Sequence, residues 1–335
     1  MSIGFDPGTF SLICAKRNKK EIEFNKGINA FIEIPLENPF LFNMMKNSGV
    51  PLIEKDNIGF VLGESAMNMA YTLASLELKR PMAEGCVNPK EKSAFEILQI
   101  MIHSLIGEID KDDEKVYYCV PANAVNTETD ADYHQKIIHS IFKSYRSDNG
   151  FKLNPNPINE ALAVIYAEMQ KKAYTGIGIS CGGGQVNVCY AMYGNPVFQF
   201  SIVNSGDWID KQAAKATGES TTVINKEKLG VDLSKEPKNM IERAIGTQYR
   251  IMIEKTVQGI KNGLANAKTN VRSAGAVDVV VAGGTSCIAG FDVIFRDTMK
   301  NAGLSIDLGD ITRADNAQYT IAKGCLIAAE NSNWC

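Results

Sequence analysis

Long apolar runs, a secretory leader and an excess of basic residues are all missing from the sequence. No stretch reaches the length of about 18 uninterrupted apolar residues, so we expect no membrane-spanning helix. The first residues, MSIGFDPGTF, lack the charged segment and apolar core of a secretory signal. The formal net charge is -3 and no basic run occurs, which disfavours a surface that binds nucleic-acid phosphates. These absences predict a cytoplasmic protein that binds neither nucleic acid directly nor the membrane.

Paired cysteines and clustered histidines are missing as well. The 8 cysteines form no C-x-x-C pair, and most lie in apolar runs. This is typical of buried thiols in a reducing compartment rather than of a disulfide framework or a zinc site. The three histidines, His103, His134 and His139, lack metal-ligand spacing, and we expect structural or surface roles for them. There is also no GxxxxGK[ST] P-loop and no G-x-G-x-x-G dinucleotide motif after a strand.

What the sequence does contain is three glycine turns, each of which follows a β-type run. They lie at residues 6–11 (DPGTFS), 180–185 (SCGGGQ) and 283–286 (GGTS). The second turn is flanked by strand-like segments in IGISCGGGQVNVCYA, residues 177–191. Glycine turns between strands make tight hairpins, and their backbone N–H groups can also hold a phosphate. From these residues alone, plain hairpins and phosphate loops both remain open.

The remaining pattern predicts two similar α/β halves. Amphipathic spacing predicts a helix over residues 91–109, with Phe95, Leu98, Ile102 and Leu105 on one face. Strand–turn–strand units interleaved with helices occur near the N-terminus and again from residue 176, and such halves pack with a cleft between them. Further helices are predicted over residues 133–145, 160–171, 208–216, 240–267, 291–301 and 317–330.

Several local signals bear on the boundaries of these elements. The run NPNP at residues 154–157 predicts an extended turn, and Asn159 is expected to cap the helix that follows. Thr221 or Thr222 is expected to cap a short helix. The apolar patch FLFNMM, residues 40–45, is interpreted as the core of a small subdomain or as an exposed contact surface.

The three turns, in this order and at this spacing, resemble the nucleotide motifs of the actin superfamily of ATPases. The resemblance covers nearly the whole chain and is closest to bacterial actin-like filament proteins of the MreB and MamK type. The turns correspond in order to the first phosphate loop, the second phosphate loop and the adenosine motif. The resemblance implies nucleotide contacts at Gly8, Thr9, Phe10, Ser11, Gly182, Gly183, Gly184, Gln185, Gly283, Gly284, Thr285 and Ile288.

Weaker matches lie in the same register. The segment RPMAEG, residues 80–85, resembles a bacterial-actin segment that leads into the same helix. The segment SGDWID, residues 205–210, resembles a turn that would place Gly206 and Asp207 near the phosphates. The segment VINKEKLG, residues 223–230, resembles a helix that would bring Lys226 and Glu227 to the ribose and adenine.

The resemblance further implies that ATP or ADP binds with Mg²⁺. Asp6 would act on the metal through a bound water, because Mg²⁺ keeps several waters and takes few carboxylates. The segment INEALAVIYA, residues 158–167, resembles the helix that carries the family's water-positioning residue, which falls on Glu160. Glu160 would orient or activate water for attack on the γ-phosphate. A glutamate in the first turn of a helix is also favoured by the helix dipole, so the residue by itself has a structural alternative.

Two departures from the family pattern concern the second phosphate loop. An aspartate usually stands directly before its glycines, and here that position is Ser180. Gln185 and Val186 stand where hydroxyl residues are common. Loss of a metal-positioning or general-base group costs roughly 10²- to 10⁴-fold in rate, whereas binding by backbone amides is less affected. We therefore predict nucleotide binding with slow hydrolysis.

The resemblance implies a two-lobed, actin-like (ribonuclease H-like) α/β fold with a nucleotide cleft between the lobes. Residues 1–170 and 318–335 would form lobe I, with a small inserted subdomain around residues 25–80, and residues 171–317 would form lobe II. The implied function is a cytoskeletal protein that polymerises into filaments with itself, together with adaptor proteins. The alternative is a non-polymerising adaptor or pseudo-ATPase of the same fold that binds a partner protein. A kinase or chaperone of the superfamily is a third interpretation, but the chain lacks the extra segments that either would need.

Overall fold

Two five-stranded mixed sheets form the frame of the fold. The computed structural model describes residues 2–331 apart from 38–42, 44–46, 48–49, 51, 74–75, 126, 128–129 and 268–274. In spatial order, the first sheet contains Leu153–Asn159 (β10), Glu114–Val120 (β9), Ile3–Pro7 (β1), Ser11–Asn18 (β2) and Glu21–Ile28 (β3). The second sheet contains Asn195–Ile202 (β13), Val186–Met192 (β12), Gly176–Cys181 (β11), Val277–Ala282 (β14) and Leu308–Arg313 (β15).

The two sheets repeat one pairing pattern. In the first sheet, β1 and β3 each run antiparallel to β2, while β9 runs parallel to β1 and to β10. In the second, β11 and β13 run antiparallel to β12, while β14 runs parallel to β11 and to β15. The prediction of a two-lobed α/β fold built from two similar halves is therefore confirmed. The residue limits given above for the lobes remain a prediction.

Two smaller sheets belong to the first third of the chain. Phe31–Pro35 (β4), Ile58–Leu62 (β6) and Leu52–Lys55 (β5) form an antiparallel sheet beside helix Gly63–Thr72 (α1). This unit has a small apolar core of its own. Met82–Ala83 (β7) and Cys86–Val87 (β8) pair as a two-stranded ribbon. We use "the ribbon" below for residues 80–87.

Helices cover both sheets and fill the space between them. The longest, Met240–Asn266 (α7), packs its apolar face on the second sheet, where Ile177, Val188 and Tyr190 are buried. None of the helices in the described ranges is both long and apolar enough to cross a membrane. The other helices are Ala94–Ile106 (α2), Ala131–Ser144 (α3), Glu160–Glu168 (α4), Gly206–Thr217 (α5), Thr221–Lys228 (α6), Phe291–Asn301 (α8) and Thr320–Glu330 (α9).

Helices α4 and α9 lie close together between the two sheets, because glycines remove the side chains that would separate them. A Cβ on Gly324 of α9 would lie 1.8 Å from the Ala163 carbonyl oxygen of α4. A Cβ on Gly178 of β11 would lie 2.4 Å from the Ala161 carbonyl oxygen. Real Cβ atoms do not approach backbone this closely. The N-terminus of α4, which begins with Glu160, is thereby fixed relative to the second sheet.

Several predictions about local structure were wrong. Of the face predicted for α2, Leu98 and Ile102 are buried as expected, but Phe95 is 37% exposed and Ile97 is buried. Residues 154–157 are not a turn but lie in β10, at the edge of the first sheet, where prolines are tolerated. Ser220 caps α6 in place of Thr221 or Thr222. The apolar patch at residues 40–45 lies outside the described residues, apart from position 43.

Candidate functional site

The three glycine turns meet in one cleft of about 240 Å³ between the two sheets. Most of the residues that the sequence predicted for a nucleotide site line this cleft. They are Asp6, Gly8, Thr9, Phe10, Ser11, Glu160, Gly182, Gly183, Gly184, Gln185, Gly206, Asp207, Gly283, Gly284 and Thr285.

Three of the predicted residues are not among those that line the cleft. Ile288 follows the short 3₁₀ turn Gly284–Cys287 and packs against the core of the second sheet. On helix α6 the cleft is lined by Asn225, Lys228 and Leu229, and neither Lys226 nor Glu227 is among its lining residues. The predicted helix is thus at the cleft, but a different face of it is turned inward.

The first hairpin joins β1 to β2 through residues 8–10. Its last strand pair is Pro7 with Leu12. The fully buried Asn29 holds the turn from behind, because its Nδ2 donates to the Gly8 carbonyl oxygen at 3.0 Å. The Asn29 backbone N–H donates to the Phe10 carbonyl oxygen at 2.9 Å. These bonds leave the backbone N–H groups of the turn directed away from Asn29, where they are suited to an anion.

The second hairpin joins β11 to β12 through residues 182–185, and its carbonyl oxygens are held by the second lobe. The Gly182 carbonyl oxygen accepts from Ser205 Oγ at 2.5 Å and from Thr285 Oγ1 at 2.6 Å. The Gly183 carbonyl oxygen accepts from the Asp207 backbone N–H at 2.8 Å. Helix α5 therefore begins directly at this hairpin. A helix N-terminus beside a glycine turn is a favourable place for a phosphate.

The two hairpins touch each other and the ribbon. A Cβ on Gly184 would lie 2.5 Å from Thr9 Oγ1 in the first hairpin and 2.1 Å from the Gly85 backbone nitrogen in the ribbon. A Cβ on Gly183 would lie 3.2 Å from Phe10 Cβ. The glycines are therefore needed for this close approach, in addition to any role toward a ligand.

The third turn lines the cleft and packs against the second hairpin. Gly283 has a φ of 92°, a conformation that favours glycine, and its N–H donates to the Ala317 carbonyl oxygen at 2.8 Å. A Cβ there would lie 2.3 Å from the Cys181 carbonyl oxygen. Tyr249 of α7 donates to the Thr285 carbonyl oxygen at 3.2 Å. The turn is thereby fixed against both the second hairpin and the long helix.

Two carboxyl groups lie beside the first and second hairpins. Asp6 is 7% exposed and accepts a hydrogen bond from Cys119 Sγ at 3.2 Å, and burial raises its pKa to about 6. Glu160 accepts from Ser180 Oγ at 3.1 Å and from Asn187 Nδ2 at 3.0 Å. Burial, and secondarily repulsion by Asp6, raise the pKa of Glu160 to about 8, against the lowering effect of its two donors. A nearby cation would favour the ionised forms of both groups.

The cleft suits a magnesium-bound polyphosphate better than a free one. Among its lining residues the acidic side chains are Asp6, Glu160, Asp207 and Asp210, while the basic ones are Lys26 and Lys228. Lys228 is paired with Asp210 at 2.6 Å. An anion would therefore enter a site with a surplus of carboxylates unless a cation accompanied it. No cluster of three or more metal-ligating side chains occurs in the described part of the chain. The single buried carboxyl of Asp6 suits Mg²⁺ held largely through water.

Two side chains that shape the site, Asn187 and Arg80, were not predicted from the sequence, and a third, Gln185, was predicted for a different contact. Asn187 reaches Glu160 with its Nδ2, and its Oδ1 accepts from the Ala122 backbone N–H at 2.8 Å. Gln185 is turned away from a phosphate role, because its Nε2 donates to the Glu84 carbonyl oxygen of the ribbon at 2.7 Å. Arg80 pairs with Asp207 at 2.9 Å. Only the polar residues inside the alternating strand after the second turn could have drawn attention to Asn187.

Comparison with known proteins is consistent with this fold. A MamK double helical filament superposes with a TM-score of 0.71 over 98% of each chain, at 14% sequence identity. MreB5 of Spiroplasma citri bound to AMPPNP superposes with a TM-score of 0.67 over 99% of this chain and 96% of that one, at 15% identity. The ethanolamine utilization protein EutJ from Carboxydothermus hydrogenoformans gives 0.55 over 98% of this chain and 89% of that one, also at 15% identity. Among curated proteins, none matches the sequence.

These superpositions establish an actin-like fold, resembling MreB and MamK, and at such identities they establish the fold alone. The family is shown by the sequence itself. A family model described as Volactin matches residues 1–329, which is nearly the whole chain. The chain therefore belongs to the Volactin family.

Proposed function

We propose that this protein binds ATP with Mg²⁺ in the cleft and assembles with itself into filaments, and that it hydrolyses ATP slowly. The observation that carries the proposal is the meeting of two glycine hairpins with the buried carboxyl of Asp6 and the half-buried carboxyl of Glu160 in one cleft between lobes. Two structural relatives support it, since they are a MamK filament and an AMPPNP-bound MreB5.

Nucleotide binding rests mainly on backbone groups. The hairpins after β1 and β11 offer N–H groups to the phosphates, and the N-terminus of α5 adds its dipole. Asp6 would hold Mg²⁺ through water, and the bound Mg²⁺ would bring the compensating positive charge. Gly283, Gly284 and Thr285 also line the cleft, and we place the nucleoside beside them. Asn225 and Lys228 would reach it from α6, in place of Lys226 and Glu227.

Slow hydrolysis follows from the surroundings of Glu160. Both of its side-chain donors reach Oε2, which leaves Oε1 for the water that attacks the γ-phosphate. Positive charge from a bound Mg²⁺ would lower the pKa of Glu160 from about 8, and the Glu160 carboxylate could then accept a proton at neutral pH. Ser180 donates a hydrogen bond but brings no charge to the metal. A site of this kind holds ATP in place while stabilising the transition state poorly.

In a filament of this kind, bound ATP would favour the closed cleft and the subunit contacts, and hydrolysis would weaken them. Adaptor proteins would then act on the polymer. We place the protein in the cytoplasm, which agrees with free thiols at Cys14, Cys86, Cys119, Cys181, Cys189, Cys287 and Cys325.

Sedimentation and electron microscopy with and without ATP–Mg²⁺ test the proposal. We expect filaments that pellet with ATP–Mg²⁺, that persist with AMPPNP and that are lost when Mg²⁺ is chelated. Phosphate release measured in parallel should be slow and should fall further in Glu160→Gln. A protein that binds nucleotide yet stays monomeric in every condition would contradict polymerisation, and would favour the adaptor or pseudo-ATPase alternative.

A further inference from the structure

Arg80 is a cationic side chain that is not itself among the residues lining the cleft, but it contacts two residues that are. It belongs to the ribbon, and its guanidinium pairs with Asp207 of α5, with Nη1 2.9 Å from Oδ1. Its Cζ lies 4.8 Å from the centre of the Phe10 ring in the first hairpin. Arg80 therefore contacts one residue from each side of the site, and both of those residues line the cleft.

The backbone that would bind phosphate lies directly beside this ion pair. A Cβ on Gly183 would lie 3.7 Å from Asp207 Oδ1, the same oxygen that pairs with Arg80. The Asp207 backbone N–H is also bonded to the Gly183 carbonyl oxygen at 2.8 Å. The carboxylate of Asp207 thus lies between the guanidinium of Arg80 and the second hairpin.

Among the described residues, the Arg80 side chain has one hydrogen-bond partner, Asp207, so most of its N–H groups are unused there. Stacking on Phe10 occupies a face of the group, and the bond to Asp207 occupies a single nitrogen. An arginine has five N–H donors in a planar fork, which suits two oxygens of one phosphate. A partly exposed pair joined through one bond contributes little to stability, so its exchange for a more highly charged partner costs little.

The charge balance of the cleft supplies the reason for an exchange. The lining carboxylates outnumber the lining amines, and Lys228 is already paired with Asp210. A nucleoside triphosphate brings further negative charge to the end where Asp6, Glu160 and Asp207 lie. Arg80 is the cationic side chain that already touches this end from the ribbon.

We propose that Arg80 is a phosphate-binding residue that Asp207 holds in place until a nucleoside polyphosphate enters, whereupon the guanidinium transfers from the carboxylate to the phosphates. This rests on the proposed nucleotide function of the cleft. The ribbon itself stays attached during the exchange, because the Gln185 amide holds the Glu84 carbonyl oxygen and Gly184 packs on Gly85.

Opposite effects of two substitutions distinguish this exchange from a structural ion pair. If the pair were only structural, removing either Arg80 or Asp207 would change the AMPPNP–Mg²⁺ affinity in the same direction. In the exchange, Arg80→Gln removes a phosphate ligand and should weaken AMPPNP–Mg²⁺ binding about tenfold or more, as expected for a charge-assisted hydrogen bond. Asp207→Asn removes the competitor and should strengthen AMPPNP–Mg²⁺ binding several-fold. Adenosine, which has no phosphate, should bind all variants equally.

Calorimetric titration of the full chain with AMPPNP–Mg²⁺ and with adenosine provides the measurement. Lys79→Gln is the matched control, since it removes the same charge one residue earlier. Lys79 pairs with Glu33 of β4, and neither residue is among those that line the cleft. Its AMPPNP affinity should equal that of the wild type. Should Arg80→Gln not fold, Asp207→Asn alone decides the sign.

Two results would overturn the inference while the proposed function stands. One is an AMPPNP affinity in Arg80→Gln that stays within threefold of wild type. The other is an Asp207→Asn variant that binds AMPPNP no more tightly than wild type. A wild-type protein that binds no AMPPNP would instead overturn the proposed function, and this inference with it.

Discussion

The two glycine hairpins of the cleft have the same strand pairing but contribute different chemistry. The first presents side chains to the cleft, with the carboxylate of Asp6 and the hydroxyls of Thr9 and Ser11 among the lining groups. The second presents three glycines. Its flanking side chains are already bonded to protein, Ser180 to Glu160 and Gln185 to the ribbon.

This difference between the hairpins bears separately on nucleotide binding and on nucleotide hydrolysis. In the proposed function, charge for the metal would come from the first hairpin, whereas the second hairpin would supply backbone amides and rigid packing. Binding by amides needs only the correct backbone shape, which glycines and the bonds to Gly182 and Gly183 provide. Cleavage needs charge beside the metal from both hairpins, and Ser180 leaves one side without it. The predictions below test each half of this comparison.

The largest effect is expected where the second hairpin packs on its neighbours. In Gly184→Ala the new Cβ would meet the Gly85 nitrogen at 2.1 Å, and backbone cannot move aside as a flexible side chain does. We expect a loss of at least about 2 kcal/mol in the free energy of unfolding, together with loss of nucleotide binding. Urea denaturation of the nucleotide-free protein measures the first effect.

Gly284→Ala is the matched control for this substitution. It also lies in a glycine turn that lines the cleft, but a Cβ there has no heavy atom within 4 Å. Its stability should stay within about 0.5 kcal/mol of wild type. Equal stabilities for the two variants would show that the hairpins do not pack as closely as described.

Ser180→Asp should remove the difference between the hairpins. The new carboxylate would stand beside the metal's outer shell, and we expect the ATPase rate to rise roughly 10²-fold. Without nucleotide, the same change places a third carboxylate near Asp6 and Glu160 and should lower stability. Ser180→Ala, which adds no charge, serves as the control, and single-turnover phosphate release provides the rate. An aspartate variant that binds AMPPNP normally but is no faster than wild type would disprove the role given to Ser180.

Acid should weaken the attachment of the ribbon, which packs on the second hairpin. The Val87 N–H donates to His134 Nδ1 at 3.2 Å, and burial lowers the pKa of His134 to about 4. Because the unfolded chain binds this proton near pH 6.5, stability is lost as the pH falls from about 6.5 toward 4. The full loss from this group amounts to about 3 kcal/mol.

The sign of this dependence distinguishes His134 from the carboxylates of the cleft. Burial raises the pKa of Asp6 and Glu160, so over the same pH range these groups gain stability as the pH falls. Urea unfolding at several pH values, compared between wild type and His134→Gln, isolates the histidine. Identical pH slopes in the two proteins would rule out its contribution.

Local signals in the sequence predicted the parts of the fold that depend on neighbouring residues. The three turns, the strand Val277–Ala282 and the helix Phe291–Asn301 were predicted from glycine placement and apolar runs. The cap at Asn159 is confirmed, since its Oδ1 accepts from the backbone N–H groups of Ala161 and Leu162. Each of these depends on residues only a few positions apart.

Rotation of helices and contacts across the chain could not be predicted in the same way. On α6 the sequence pointed to Lys226, but Lys228 lines the cleft, and a step of two residues turns a helix by about 200°. On α2 the predicted face is buried at Leu98 and Ile102, and only Phe95 of the residues named there is 37% exposed. The pair of Arg80 with Asp207 joins residues far apart in the chain, and only the packing of the two lobes brings them together.

The smallest effect is expected from the bonds that hold the second hairpin from behind. The Gly182 carbonyl oxygen accepts from both Thr285 Oγ1 and Ser205 Oγ, so Thr285→Val leaves one strong donor in place. We expect a loss of about 1 kcal/mol in the free energy of unfolding for Thr285→Val and a similar loss for Ser205→Ala.

Removing both hydroxyls leaves the Gly182 carbonyl oxygen with only the Gly206 N–H, at 3.4 Å, among the described donors. The double variant should therefore lose more than the two single losses added together, because it alone leaves the oxygen poorly bonded. A double-mutant cycle by urea denaturation measures this coupling. Strictly additive losses would mean that the two hydroxyls act independently of Gly182, and that the rigidity assigned to the second hairpin has another origin.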